Sequence, residues 1–314
     1  MNITAARPVL SLACLAGLTV ASMPAMEIEQ ARAVDDFYLG VDLLSKQYDQ
    51  GIVRNDDATV RETLAARYFD FGVKLQAYQA LGEVGAAPST ISAANHPKHA
   101  KAGETTELSL RLDYLIEMKD LFQILPFYEG ITYPYLSSMP LKSDQNWLGV
   151  DAWWMTPLAG VELGGSVAYN AFYDVKSDTG GMAGWSNGHM LKGSFGAREF
   201  YQYAPIDVTL WQMFNWGNSN YNRFMGQGDL QLPATSTYAG NSDWKHGLNT
   251  FDIGATVLHP LAFRDWWFTA SAEGHFWVMK ADRERLADNG IDRNEFVLSM
   301  GVRYWPGAEE KVKN

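Results

Sequence analysis

Three places in this 314-residue chain bring together side chains able to do chemistry. His96-Pro97-Lys98-His99 sets two imidazoles close in sequence, the sort of pair that ligates a metal ion. Ser186-Asn187-Gly188, followed by His189, puts a hydroxyl nucleophile near an imidazole base. His275 stands two positions from Glu273, and imidazole is the side chain whose charge changes near neutral pH. Each has a plainer reading. The two histidines fall in the Ala/Ser-rich stretch 82–104 and read as solvated. Asn-Gly is a common turn pair, and His275 beside a carboxylate reads as a satisfied hydrogen-bonding side chain. No phosphate loop, Cys/His cluster or EF-hand spacing occurs, so neither a catalytic residue nor a metal nor a cofactor is expected.

The elements that would position such groups follow from composition and pattern. Asp and Glu number 36 against 25 Lys and Arg, a formal charge of −11. An acidic chain has no electrostatic footprint for nucleic acid. Arg7-Pro8 precedes the apolar run Val9 to Ala21, too short to span a bilayer as a helix, in the layout of a secretory signal peptide. The expected signal is 1–33, cleaved after Ala33 or at the competing Ala25. The one cysteine, Cys14, lies inside it, and Ser11 stands where a lipobox wants Leu. Without disulfides, the exported chain must rely on a large core or a closed sheet. No later segment offers 18 consecutive apolar residues, so a helical membrane protein is excluded.

From residue 34 onward the alternation has period two. Phe37, Leu39, Val41 and Leu43 alternate with Tyr38, Gly40, Asp42 and Leu44; Phe251, Ile253, Ala255 and Val257 alternate with Thr250, Asp252, Gly254 and Thr256. Twelve strands are expected, near 36–46, 58–68, 71–81, 105–117, 121–134, 146–156, 160–174, 188–203, 206–217, 247–260, 265–280 and 293–305. Long and short connections alternate along the chain. A soluble β-sandwich has no reason to gather every long loop at one end, whereas an up-and-down barrel in the outer membrane does. The expected fold is therefore all-β, a transmembrane antiparallel barrel over 34–305 with a polar periplasmic tail at 306–314. Trp153-Trp154, Tyr201, Tyr203, Trp266-Trp267 and Tyr304-Trp305 lie beside the short turns, and Tyr133, Tyr135, Phe172, Tyr173, Trp216 and Trp244 lie near the long loops. They are expected to form interfacial girdles.

The stretch Phe37-Tyr38-Leu39-Gly40-Val41-Asp42-Leu43-Leu44, with Gln50-Gly51 and Phe71-Gly72-Val73-Lys74-Leu75, resembles the start of bacterial outer-membrane porins of the TorF-like type. That resemblance covers about fifty residues and implies a channel-like protein. The chain departs from many such barrels by continuing past Tyr304-Trp305. Some twelve-stranded outer-membrane barrels are phospholipases, which share a His two positions before Ser-Asn-Gly. Here Gly184 holds that place, and no enzyme is expected.

If the barrel holds, charged side chains must face its lumen, because Arg or Lys on the lipid face near the midplane costs about 2–4 kcal/mol. Ten acidic and seven basic positions fall on the inward phase. The pore-lining set expected is Asp42, Arg61, Arg67, Lys74, Arg111, Asp113, Asp151, Lys192, Arg198, Asp252, Glu273, His275 and Arg303. Glu107, Glu129, Glu162, Asp207 and Glu295 complete the acidic face. Twelve strands give a lumen between a filled eight-stranded interior and an open sixteen-stranded one. Two functions follow. One is a channel for passive diffusion of small hydrophilic solutes, its partners being the bilayer and those solutes. The other is a barrel plugged by its own ion pairs, with external loops that bind a partner or surface ligand.

Overall fold

A computed structural model describes residues 37–49, 52–55, 58–82, 102–118, 121–132, 134, 145–158, 160–170, 189–203, 205–222, 246–278 and 294–306. The expected signal peptide, most of the tail, His96, His99, Ser186 to Gly188, Tyr133, Tyr135, Phe172, Tyr173 and Trp244 lie outside them.

The strands are β1 (Phe37–Leu44), β2 (Gln47–Asp49), β3 (Ile52–Asn55), β4 (Thr59–Tyr68), β5 (Phe71–Ala80), β6 (Thr105–Tyr114), β7 (Ile116–Met118) and β8 (Phe122–Thr132). They continue with β9 (Gln145–Met155), β10 (Val161–Asn170), β11 (Met190–Tyr203), β12 (Ile206–Gly217), β13 (Gly247–Pro260), β14 (Trp266–Trp277) and β15 (Asn294–Tyr304). All but β2 and β3 form one antiparallel sheet, and the pairing of β6 with β8 closes it into a barrel. β7 prolongs β6 in one register, since Asp113 faces Phe127 and Ile116 faces Ile124. The barrel thus has twelve staves, and the gap at Leu115 has a local cause. In that register Tyr114 stands opposite Pro126, which has no N–H to give to the ladder.

Neighbouring staves are joined alternately by short turns and long connections. The turns between β4 and β5, β7 and β8, β9 and β10, β11 and β12, and β13 and β14 fall at one end, together with the start of β1 and the end of β15. This is the turn end; the other is the loop end, where β2 and β3 pair as a hairpin inside the first long connection.

Along β1, Phe37, Leu39, Val41 and Leu43 are exposed while Tyr38, Gly40, Asp42 and Leu44 are buried. The same phase runs round the barrel, and exposed Leu64, Leu75, Leu108, Val150, Val167, Ile253, Phe268, Leu298 and Met300 make its outer face apolar. Along the closed ladder backbone donors and acceptors pair between neighbouring staves rather than with solvent, which a bilayer demands. No Lys or Arg of a described stave lies on the outer face. Glu62 and Glu199 are the acidic exceptions, and Glu199 accepts a hydrogen bond from Tyr201 Oη at 2.5 Å.

The aromatic expectation needs dividing. Trp154, Tyr203 and Trp266 are exposed on the outer face, as a girdle requires, but Trp153, Trp267 and Trp305 are buried inside. Adjacent residues on a strand point to opposite faces, so a Trp-Trp pair must send one ring inward. The inward rings need room, and glycine supplies it. Trp153 faces Gly164 and Trp211 faces Gly254 across the ladder. A Cβ on either glycine would come 2.5 and 2.4 Å from the facing ring.

Candidate functional site

All thirteen residues expected to line the interior lie on the inward phase of their strands, and twelve of them, Glu273 excepted, are buried. They form several groups. On one wall Arg67 Nη2 donates to Asp113 Oδ1, Arg111 Nε lies 3.8 Å from Asp113 Oδ2, and Arg111 Nη2 donates to Asp151 Oδ2. This chain of alternating charge runs from β4 to β9. Beside it, Arg61 on β4 donates through Nε and Nη2 to Asp42 Oδ2 on β1 at 3.1 and 2.9 Å. His275 Nδ1 lies 3.0 Å from Asp252 Oδ1, and its Nε2 lies 3.6 Å from Glu273 Oε2. Asp252 also accepts from Asn215 Nδ2 at 2.8 Å.

Several cations rest on aromatic rings. Arg198 Cζ lies 3.2 Å from the Trp153 ring centre, Arg111 Cζ 4.0 Å from that of Phe127, and Lys192 Nζ 4.3 Å from that of Trp147. An aromatic face attracts a cation, most strongly where water is excluded. Arg198 thereby holds its guanidinium with Glu162 Oε2 3.9 Å away. Lys192 reaches Glu129 Oε2 at 4.0 Å, joining β11 to β8.

The loop end holds a feature that alternation does not reveal. Two segments turn inward, and each meets a β-bulge, which re-aims a side chain by inserting one residue. In β6 the register shifts opposite Tyr78 and Gln79, so that both Thr106 and Glu107 are buried. Gln47, from the β2–β3 hairpin, donates to Glu107 Oε2 at 2.9 Å and accepts from Thr106 Oγ1 at 2.7 Å. In β13 the shift buries both Asn249 and Thr250. Asn249 Nδ2 donates at 3.2 Å to Asn222 Oδ1, which ends a single helical turn at 219–222. Asn218 caps that turn by accepting from Tyr221 N–H at 2.9 Å. Tyr221 is buried with its ring 5.8 Å from that of Trp147 on β9. Gln47, Thr106, Tyr221, Asn222 and Asn249 were not among the residues expected from sequence. The one signal for them was the cap-forming run Asn218-Ser219-Asn220.

The hydrolytic alternative rested on Ser186 and His189. His189 Nδ1 is hydrogen-bonded to Tyr169 Oη, and the two rings stack with centres 5.5 Å apart. Among the described residues no group of three or more His, Cys, Asp and Glu is arranged to hold a metal ion.

A closed antiparallel barrel with an apolar outer face and a charged interior is the architecture of the bacterial outer membrane. No family model and no curated protein matches the sequence. Solved structures of similar architecture include the KdgM porin in complex with disordered oligogalacturonate, at 9% identity and TM-score 0.41 over 86% of this chain and 98% of that one. The NanC porin matches at 9% identity and TM-score 0.45, over 85% and 98%. The outer membrane phospholipase A from Escherichia coli matches at 10% identity and TM-score 0.40, over 86% and 92%. The likeness lies in the barrel; none of it singles out the TorF-like type.

Proposed function

We propose that this chain is an outer-membrane channel for passive diffusion of small hydrophilic solutes, with its turn end in the periplasm and its loop end outside. The observation that carries this reading is the partition of charge. Across the described staves every Lys and Arg faces inward, while the outer face is an apolar band. A barrel serving only as an anchor needs the apolar band but no charged interior of this density. The charged set expected from sequence is then the lining of a narrow path, and no catalytic residue or cofactor takes part.

A second reading is favoured by a specific observation. Asp42, Asp151, Arg198 and Asp252 are no more than 1% exposed. Side chains so enclosed suit a plug of ion pairs, with the external loops binding a partner or surface ligand. Planar-bilayer recording of the refolded protein separates the two. Stepwise ion conductance is expected, and its absence from a folded preparation would hand the case to the plug.

A further inference from the structure

Inside the turn-end half of the barrel apolar side chains pack in two clusters between the charged ones. One cluster joins Leu115, Leu125 and Trp153 to Trp211 and Met213, with Phe200 packed against it. These come from the β6–β7 junction, β8, β9, β12 and β11. A second cluster joins Tyr38, Ala65, Leu258, Trp267 and Trp305, from β1, β4, β13, β14 and the end of β15. Apart from Trp211 and Met213, each lies within about four residues of the turn end of its strand. Together the clusters draw on every stave except β5 and β10.

Those two sectors hold ion pairs instead. At β5, Gly72 leaves space occupied by Arg67 and Asp113, both within reach of a Cβ placed there. At β10, Glu162 stands beside Arg198. Arg198 lies over Trp153, and Arg303 Cζ lies 5.9 Å from the Tyr38 ring centre, so cations rest against both clusters.

We infer that these two clusters form an apolar collar, broken at β5 and β10, and that this collar rather than the charged lining is the barrier to permeation. The inference rests on the channel reading. An apolar constriction opposes ions by shedding water, so its hold depends on both width and polarity. A charged wall alone selects between ions but does not exclude water.

The test is planar-bilayer recording of the full chain beside Trp211→Ala, Trp267→Ala, the double variant and Leu125→Asn, each first checked for heat-dependent mobility in SDS gels. The alanine variants are expected to raise unit conductance roughly twofold or more, the double variant most. Leu125→Asn, which changes polarity while keeping the same branched skeleton of four heavy atoms, is expected to raise it as well. A silent wild type with conducting variants also supports the collar, as a closed one. Wild-type conductance in the folded double variant would overturn the collar and leave the channel standing. Silence of every folded protein would overturn both.

Discussion

Arg67 and Asp113 pair across an intervening strand, over the bare backbone of Gly72. Arg67 lies on β4 and Asp113 on β6, while Gly72 faces both in the ladder. A Cβ at Gly72 would meet Asp113 Oδ1 at 2.5 Å and Arg67 Nη2 at 2.6 Å. The glycine is required for space. Gly72→Ala is expected to destabilise the barrel by about 1–3 kcal/mol, the usual cost of overpacking. Urea unfolding in lipid vesicles measures it. Adding Asp113→Ala to the variant should lessen the penalty of the alanine; an undiminished penalty would place the strain elsewhere.

The closed ladder makes a second expectation direct. Where the sheet closes on itself, SDS has no free edge to invade. Protein extracted from outer membranes should run at one position unheated and at another after boiling. Folded protein recovered without detergent from a soluble fraction would end the membrane assignment.

The sequence shows most of this barrel because a membrane imposes period two on every strand at once. In β12 and β13 the expected bounds, 206–217 and 247–260, coincide with the observed ones. What escapes is local. A bulge changes the phase by one residue, and nothing in Thr106-Glu107 or Asn249-Thr250 separates it from unbroken alternation. Trp153-Trp154 reads as two girdle residues until the pleat sends one inward. The hairpin Gln47–Asp49 with Ile52–Asn55 sits in a connection whose composition reads as loop. Pro126 did carry a signal, since a missing N–H in a central strand must interrupt a neighbour. The charged lining was legible as a face, but its partners were not: Lys192 with Glu129 and Arg111 with Asp151 reach across intervening strands, and alternation carries no such information.

Orientation can be tested with a protease added to intact cells. The long connections 82–104 and 218–246 should be cut before any short turn. Within the second, cleavage is expected after residue 222, because the turn at 219–222 is tied down. Its Asn222 amide donates to Gly217 O at 3.3 Å, and Asn218 Nδ2 donates to His189 O at 2.8 Å. Cutting only after the outer membrane is breached would invert the topology.

The interior charge predicts selectivity, and one corner of the lining stands out among the ion pairs. Asp42, Asp113, Asp151, Glu129, Glu162 and Glu295 each lie within 4.0 Å of a Lys or Arg nitrogen. Asp252 and Glu273 instead share one imidazole, that of His275. Two carboxylates on one imidazole leave net negative charge whatever its protonation, while the other pairs nearly cancel. Charges in a narrow water path are screened less than surface charges, so this corner should give the channel a modest preference for cations. Reversal potentials in a salt gradient measure that preference. Replacing Asp252 by Asn and Glu273 by Gln should move the potential toward anions, with unit conductance much less altered. Lys192→Gln should move it the other way, because Glu129 is then released from its 4.0 Å partner. A native channel that already prefers anions would show that Arg67, Arg198 and Arg303 at the turn end govern the passage instead.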